Sequence, residues 1–146
     1  MAVTAKLFGN ALVKAFNKEI DFDSDSIRVA LLTDTTAPVQ DTWDYFDDAK
    51  PTEIAGTGYT AYGAVISSPS VTYNGTTNVV KLDGADVSWT SATFTCRYAV
   101  IYDFTPGSDG TRPLIAFIDF GENISVTAGT FQITFAADGI VTITVA

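Results

Sequence analysis

The sequence predicts a mainly β protein: an antiparallel β-sandwich or jelly-roll-like domain with a short amphipathic helix near its N-terminus. Three observations lead there. From Val65 onward the chain is a succession of short apolar or alternating runs. The dipeptides Asn74-Gly75, Asp83-Gly84 and Asp138-Gly139 punctuate them as turns. Hydrophobic residues make up 47% of the chain against 17% charged, the composition of a sequence that buries a core rather than of a disordered tail. At 146 residues the expectation is one domain, residues 1–146, able to bury roughly 68–70% of its unfolded surface.

Taken in order, the segment from Ala5 to Asn17 places Leu7, Phe8, Ala11, Leu12, Ala15 and Phe16 at helical spacing, and it reads as the N-terminal helix, about residues 5–17. Its apolar stripe is expected to face the core, with docking onto a partner as the alternative. After the acidic turn Asp21 to Asp25, the run Ile27 to Leu32 is apolar on both sides and reads as a buried first strand. From there to about Ala64 the pattern is irregular, broken by Pro38, Pro51 and Gly56-Thr57-Gly58, and reads as the loop-bearing side.

Strand signals then follow at Val65–Ser68, Ser70–Tyr73, Asn78–Leu82, Ala85–Trp89, Phe94–Phe104, Leu114–Phe120, Phe131–Phe135 and Ile140–Val145. A longer surface loop is expected from Pro106 to Pro113. In the fifth of these, strict alternation puts Phe94, Cys96, Tyr98, Val100, Tyr102 and Phe104 on the core face. Two packed antiparallel sheets follow, with the helix covering an open edge or end.

The chemistry that the composition permits is narrow. No histidine is present, which removes Ser-His-Asp and Cys-His catalysis, and one cysteine without histidine offers zinc no ordinary ligand set. Cys96 cannot pair within the chain and is expected to be a small buried residue. Asp21, Asp23 and Asp25 alternate like the start of a calcium loop, but Ser26 and Leu32 stand where the turn glycine and bidentate glutamate belong. That stretch is expected to be a solvated turn. Gly56-Thr57-Gly58 lacks the remainder of any nucleotide fingerprint. The expectations are therefore no enzyme activity, no cofactor and no metal.

Net charge is -9, with 17 acidic residues against 8 scattered basic ones, so phosphate backbones are repelled and no nucleic-acid partner is expected. No signal-peptide pattern is evident, and no run approaches the ~20 apolar residues that cross a bilayer. No membrane association is expected either.

One stretch combines carboxylates with aromatics: Asp41, Asp44, Asp47 and Asp48 beside Trp43, Tyr45 and Phe46. It admits a sugar-stacking platform, a solvated loop or a protein contact. With Tyr59 and Tyr62 it holds most of the aromatic side chains outside the regular strands. Trp43, Tyr45, Phe46, Tyr59 and Tyr62 are therefore the candidate protein–protein interface.

The order of several short segments resembles a known group. Asn17-Lys18-Glu19-Ile20-Asp21-Phe22, Ile27-Arg28-Val29-Ala30-Leu31-Leu32, Trp43-Asp44-Tyr45-Phe46-Asp47-Asp48 and Gly56-Thr57-Gly58-Tyr59-Thr60 stand in the first half. Asp86-Val87-Ser88-Trp89, Arg97 to Tyr102, Pro113 to Gly121 and Asp138-Gly139-Ile140 continue in the second. Along nearly its whole length the chain resembles small structural proteins of tailed bacteriophages, which are variously head decoration, minor capsid or tail-associated components. The resemblance implies a non-enzymatic virion protein. The favoured expectation is a capsid decoration, or cement, protein on the outer capsid surface. Its partner would be the major capsid protein, and it would act as a homo-oligomer, a trimer, made in the host bacterial cytoplasm. The alternative is a tail-associated or receptor- or glycan-binding virion protein.

Overall fold

The computed structural model describes residues 2–145. The chain is mainly β, and its two antiparallel sheets form a β-sandwich. The first sheet has five strands in the order β1-β7-β6-β2-β3 and the second has three in the order β4-β5-β8. In chain order the elements are β1 (Thr4–Leu7), α1 (Ala11–Phe16), β2 (Ile27–Leu32), α2 (Phe46–Ala49) and β3 (Ala64–Val65), then β4 (Ser70–Asn74), β5 (Val79–Asp83), β6 (Val87–Asp103), β7 (Leu114–Ile133) and β8 (Val141–Thr144).

The frame is one long hairpin. β6 and β7 pair from Val87 opposite Ile133 to Tyr102 opposite Leu114, joined by the loop that the two prolines, Pro106 and Pro113, foretold. β2 runs antiparallel to the base of this hairpin, Ile27 opposite Asp103 through Leu32 opposite Tyr98. The second sheet is a hairpin, β4 and β5, turned at Asn74-Gly75, with β8 added along β5. Leu82, Ile140 and Val141 of that sheet and its approach pack onto the main core.

Beyond the joining of expected fragments into the long strands β6 and β7, two features differ from the sequence reading. The helix expected over about residues 5–17 is a strand followed by a shorter helix. Thr4–Leu7 pairs with Ala116–Asp119, and only Ala11–Phe16 is helical. The break falls at Gly9-Asn10, where Phe8 N–H bonds Ile115 O and Gly9 N–H bonds Gln40 O. A turn and a half of helix cannot bury the whole stripe. Ala11 is buried, whereas Leu12, Val13 and Phe16 face solvent, Phe16 with 85% of its surface exposed.

The second difference is the phase of β6. Register shifts between Trp89 and Ala92 and between Cys96 and Tyr98 add residues that reset the alternation. As a result Val87, Trp89, Ala92, Phe94, Cys96, Ala99 and Ile101 all meet the same core, while Val100 and Tyr102 point the other way. The five-stranded sheet thus has two covered faces. One packs against the three-stranded sheet. The other is covered by Phe8, Ala11, Trp43, Phe46 and Ala49 from the helices and loops.

Glycine is required at one tight approach. A Cβ on Gly63 would stand 1.8 Å from the carbonyl oxygen of Val29, and the residue has φ +76, so the turn into β3 accepts nothing larger.

Candidate protein-interaction site

The irregular segment between β2 and β3 is held down on the second face of the sheet by a polar and aromatic knot. Its centre is Glu53, whose side chain is nearly buried. One carboxylate oxygen accepts from Lys50 Nζ at 2.5 Å, and the other accepts from the Tyr59 hydroxyl at 2.8 Å and from the Tyr62 backbone N–H. The Tyr59 hydroxyl in turn accepts from Leu31 N–H at 3.1 Å, tying the loop to β2. Burial, with the Glu53 charge beside it, pushes the Tyr59 phenol well above the usual tyrosine range. It stays neutral as a donor.

Around this centre the rings stack. Phe46 lies on Tyr102, centroids 4.1 Å apart and nearly parallel, and Tyr62 meets Phe104 edge-on at 5.4 Å. The Tyr102 hydroxyl donates to Tyr62 O at 2.7 Å. Tyr62 itself has φ +74, a conformation a side-chain-bearing residue rarely adopts, and it is fixed there by contacts from both its N–H and its C=O.

Cations complete the cluster. Lys50 Nζ stands 4.0 Å from the Tyr62 ring centre, and Phe104 carries two guanidiniums, Arg28 at 3.6 Å and Arg112 at 3.9 Å. Arg112 is held by three acceptors: Nε donates to Phe104 O and Pro106 O, and Nη1 to Asp109 at 2.8 Å. Among the described residues Arg28 Nε has no hydrogen-bond partner.

Of the five aromatics singled out in the sequence, Phe46, Tyr59 and Tyr62 converge here. Tyr45 does not: its hydroxyl donates to Glu19 at 2.6 Å and its ring carries Lys14 Nζ at 3.6 Å. The expectation of exposed anchors needs correction. Phe46 is fully buried, Trp43 is 8% exposed, and Tyr45, Tyr59 and Tyr62 are half-buried. The rings of Trp43, Phe46 and Tyr62 cover the second face of the sheet, whereas that of Tyr59 packs against Trp89 and Phe94 in the other core.

Of the stripe that sequence reasoning turned toward the core, Phe8 and Ala11 are buried, whereas Leu12 and Phe16 are on the outside. Leu12, Val13 and Phe16 share one face of α1 by i, i+3 and i, i+4 spacing, and all are exposed. Beside them an apolar groove of about 210 Å³ runs between α1 and the second sheet, with Leu12, Ala15, Val71 and Ile143 on its walls. A larger apolar cleft of about 490 Å³ lies between β1, β7 and the approach to β8, with Val3, Phe131, Phe135 and Ile140 on its lining. The stripe was legible. That it faces outward was not, because the periodicity does not say which surface it meets.

A buried carboxyl pair lies apart from this, at the end of β6. Asp103 is wholly buried, accepts from Thr105 N–H at 3.0 Å and Asp21 N–H at 3.5 Å, and faces the Asp25 side chain. Burial, reinforced by the hydrogen bond and charge of Asp25, pushes Asp103 up to about 7. Among the described residues no group of three or more acidic or sulfur ligands is placed to hold a metal ion. Among the described residues no helix is long and apolar enough to cross a membrane.

The chain matches no protein-family model, no curated protein and no solved structure.

Proposed function

We propose that this chain is a non-enzymatic structural protein of a bacteriophage virion, a decoration protein that binds the outside of the major capsid lattice and stabilises the head as a homotrimer. The virion assignment rests on the sequence resemblance. The observation in the structure that supports a binding role is the solvent-facing apolar surface of α1, where Leu12, Val13 and Phe16 stand proud of an acidic domain.

The mechanism is mass action. A protein that binds only the assembled lattice stabilises that state by its binding free energy, and three copies joined on a local threefold axis add avidity to modest single contacts. Negative charge keeps such a protein on the outer surface, away from packaged DNA. The tail-associated alternative rests on the same resemblance, and its glycan-binding version drew on rings free to stack on a sugar. With Trp43 and Phe46 buried, that version has no support from those residues.

The test is co-sedimentation of purified protein with expanded capsids lacking it, with bound copies counted per major capsid subunit. Saturation at a fixed lattice ratio with raised capsid heat resistance is the expected outcome. No binding, or a handful of copies at the tail, would overturn the decoration role.

A further inference from the structure

We propose that the open seam between β1 and β8 receives an extended segment of a partner protein. The segment adds to the free edge of β1, with alternate apolar residues in the cleft below and an acidic residue opposite Lys6. β1 is the last strand of the five-stranded sheet and β8 the last of the three-stranded sheet. They face each other across a cavity of about 250 Å³, with Ala5, Lys6 and Leu7 on one side and Ile140, Val141 and Thr142 on the other. Among the described residues no strand pairing bridges them.

This cavity joins the two apolar clefts into one. It shares Ala5 and Ile140 with the cleft of about 490 Å³, and Leu7 and Val141 with the groove of about 210 Å³. The floor belongs to the main core, with Ile118 and Phe131 toward one end and Phe22 and Ile115 toward the other. Along β1 the cleft runs from Val3 to Leu7, about 17 Å of extended chain.

The edge is open to solvent, since Thr4, Ala5 and Lys6 are exposed. Phe8 N–H bonds Ile115 O in register with the ladder from Thr4 opposite Asp119 to Leu7 opposite Ala116. The alternation of an antiparallel ladder then turns the backbone of Thr4 and Lys6 toward β7 and that of Ala5 and Leu7 toward the seam. Gln40 Nε2 takes Leu7 O at 2.9 Å, which leaves Ala5 N–H, Ala5 O and Leu7 N–H for a further strand. Ala5 and Leu7 stand opposite Ile118 and Ala116 of the main core. Residues of an added strand level with them therefore enter the cleft, and those between face outward beside Lys6.

Charge selects the occupant. Lys6 is the only charged side chain on the lining of the three cavities, and it forms no ion pair among the described residues. A second copy adding its own β1 would bring the two Lys6 side chains onto one face of a four-residue ladder, where like charges repel; an aspartate or glutamate there is attracted. Strand addition at this seam needs no capsid, so it stands or falls apart from the virion reading.

The test is a titration of the isotopically labelled full chain with the capped peptide Val-Thr-Val-Asp-Val-Thr-Val at constant ionic strength, followed through backbone amide shifts and amide exchange. The same peptide with lysine in place of aspartate is the comparison ligand. Saturable shifts at Ala5, Leu7, Val141 and Thr142 and slower exchange of the Ala5 and Leu7 amides are expected. The lysine peptide should bind about fivefold more weakly, the effect of one cross-strand charge pair. Lys6→Glu should reverse the ranking of the two peptides. Ala5→Pro removes one donor from the seam side of β1, at an edge position where proline is tolerated, and should weaken binding several-fold. Urea midpoints confirm that both variants fold, and the exposed Lys6→Glu change decides if the proline variant does not. Absent shifts, or an unchanged peptide ranking in Lys6→Glu, would overturn the assignment. Shifts in the cleft without slower exchange at Ala5 and Leu7 would overturn it in favour of an apolar molecule. Slow exchange of those amides without peptide, strengthening with protein concentration, would overturn it in favour of a second copy.

Discussion

Replacing Asp25 with asparagine tests whether the buried carboxyl pair governs how stability depends on pH. Asp103 has both oxygens occupied as acceptors, by the Thr105 and Asp21 backbone amides, and faces Asp25, with no ion-pair partner among the described residues. Burial, the larger cause, together with the hydrogen bond and charge of Asp25, raises Asp103 from 3.8 to about 7. The folded value lies above the unfolded one. The folded state therefore holds the extra proton between these limits, and the stabilisation is complete below about pH 4 and lost as pH rises through 7. At about 1.4 kcal/mol per pH unit, the span corresponds to about 4 kcal/mol. The window is unusually clean because the sequence has no histidine, the side chain that ordinarily titrates there. Asp25→Asn keeps a hydrogen-bond donor toward Asp103 and removes the repelling charge. Urea unfolding at half-unit steps from pH 5 to 8 should show the parent losing stability across the range. The variant should lose much less and be the more stable protein at pH 8, by on the order of 1–2 kcal/mol. Parallel curves for the two proteins, or a parent whose stability is flat from pH 6 to 8, would refute the reasoning.

Three further outcomes are expected. Phe46→Ala removes a fully buried ring stacked on Tyr102 and should cost about 3–5 kcal/mol in urea unfolding, against a negligible loss if the 43–62 segment were a free surface loop. Cys96 is buried, and desolvation pushes its thiol up to about 12, so iodoacetamide at pH 8 should leave the native protein unmodified and label it stoichiometrically in denaturing urea. Phe16→Ser changes an 85% exposed side chain and should shift stability by no more than about 0.5 kcal/mol while weakening capsid binding, read by the same co-sedimentation.

Much of the second half of the fold was legible because its signals are local. Asn74-Gly75 marks the β4–β5 hairpin and alternation marks β8, and both stand within a residue or two of where the pattern put them. The two long strands were read as fragments, for a physical reason. Residues 90–93 are polar or small, and in residues 121–130 only Ile124 and Val126 are large and apolar, too brief an alternation to read as a strand, although β6 and β7 go on pairing through Ala92–Gly129 and Phe94–Val126. The misassigned phase of Tyr98, Val100 and Tyr102 has the same origin: a bulge is a property of two strands and leaves no period in either one. At the N-terminus, Leu7, Phe8 and Ala11 fit a helical stripe by spacing alone, and Gly9-Asn10 was the signal that the stripe crosses two elements.

The aromatics of the irregular segment show how the site itself could have been read more closely. β2 is apolar at five of six positions, with Ile27, Val29 and Leu31 entering one core and Ala30 and Leu32 the other. Such a strand needs cover on both faces. The second sheet supplies one cover, and no remaining strand signal can supply the other. The covering layer therefore has to come from residues outside the strands, and the densest apolar supply there is Trp43, Phe46 and Tyr62. Their burial follows from the composition of β2 rather than from their own surroundings in the sequence, which are acidic and loop-like. Arg28 is the one exception in that strand. A charged residue in an otherwise two-sided apolar strand must either find an acid in the covering layer or keep its edge toward solvent, and the covering layer offers it Phe104 in place of an acid. The departure from the strand's pattern and the unpaired charge are one observation made twice, in the sequence and in the fold.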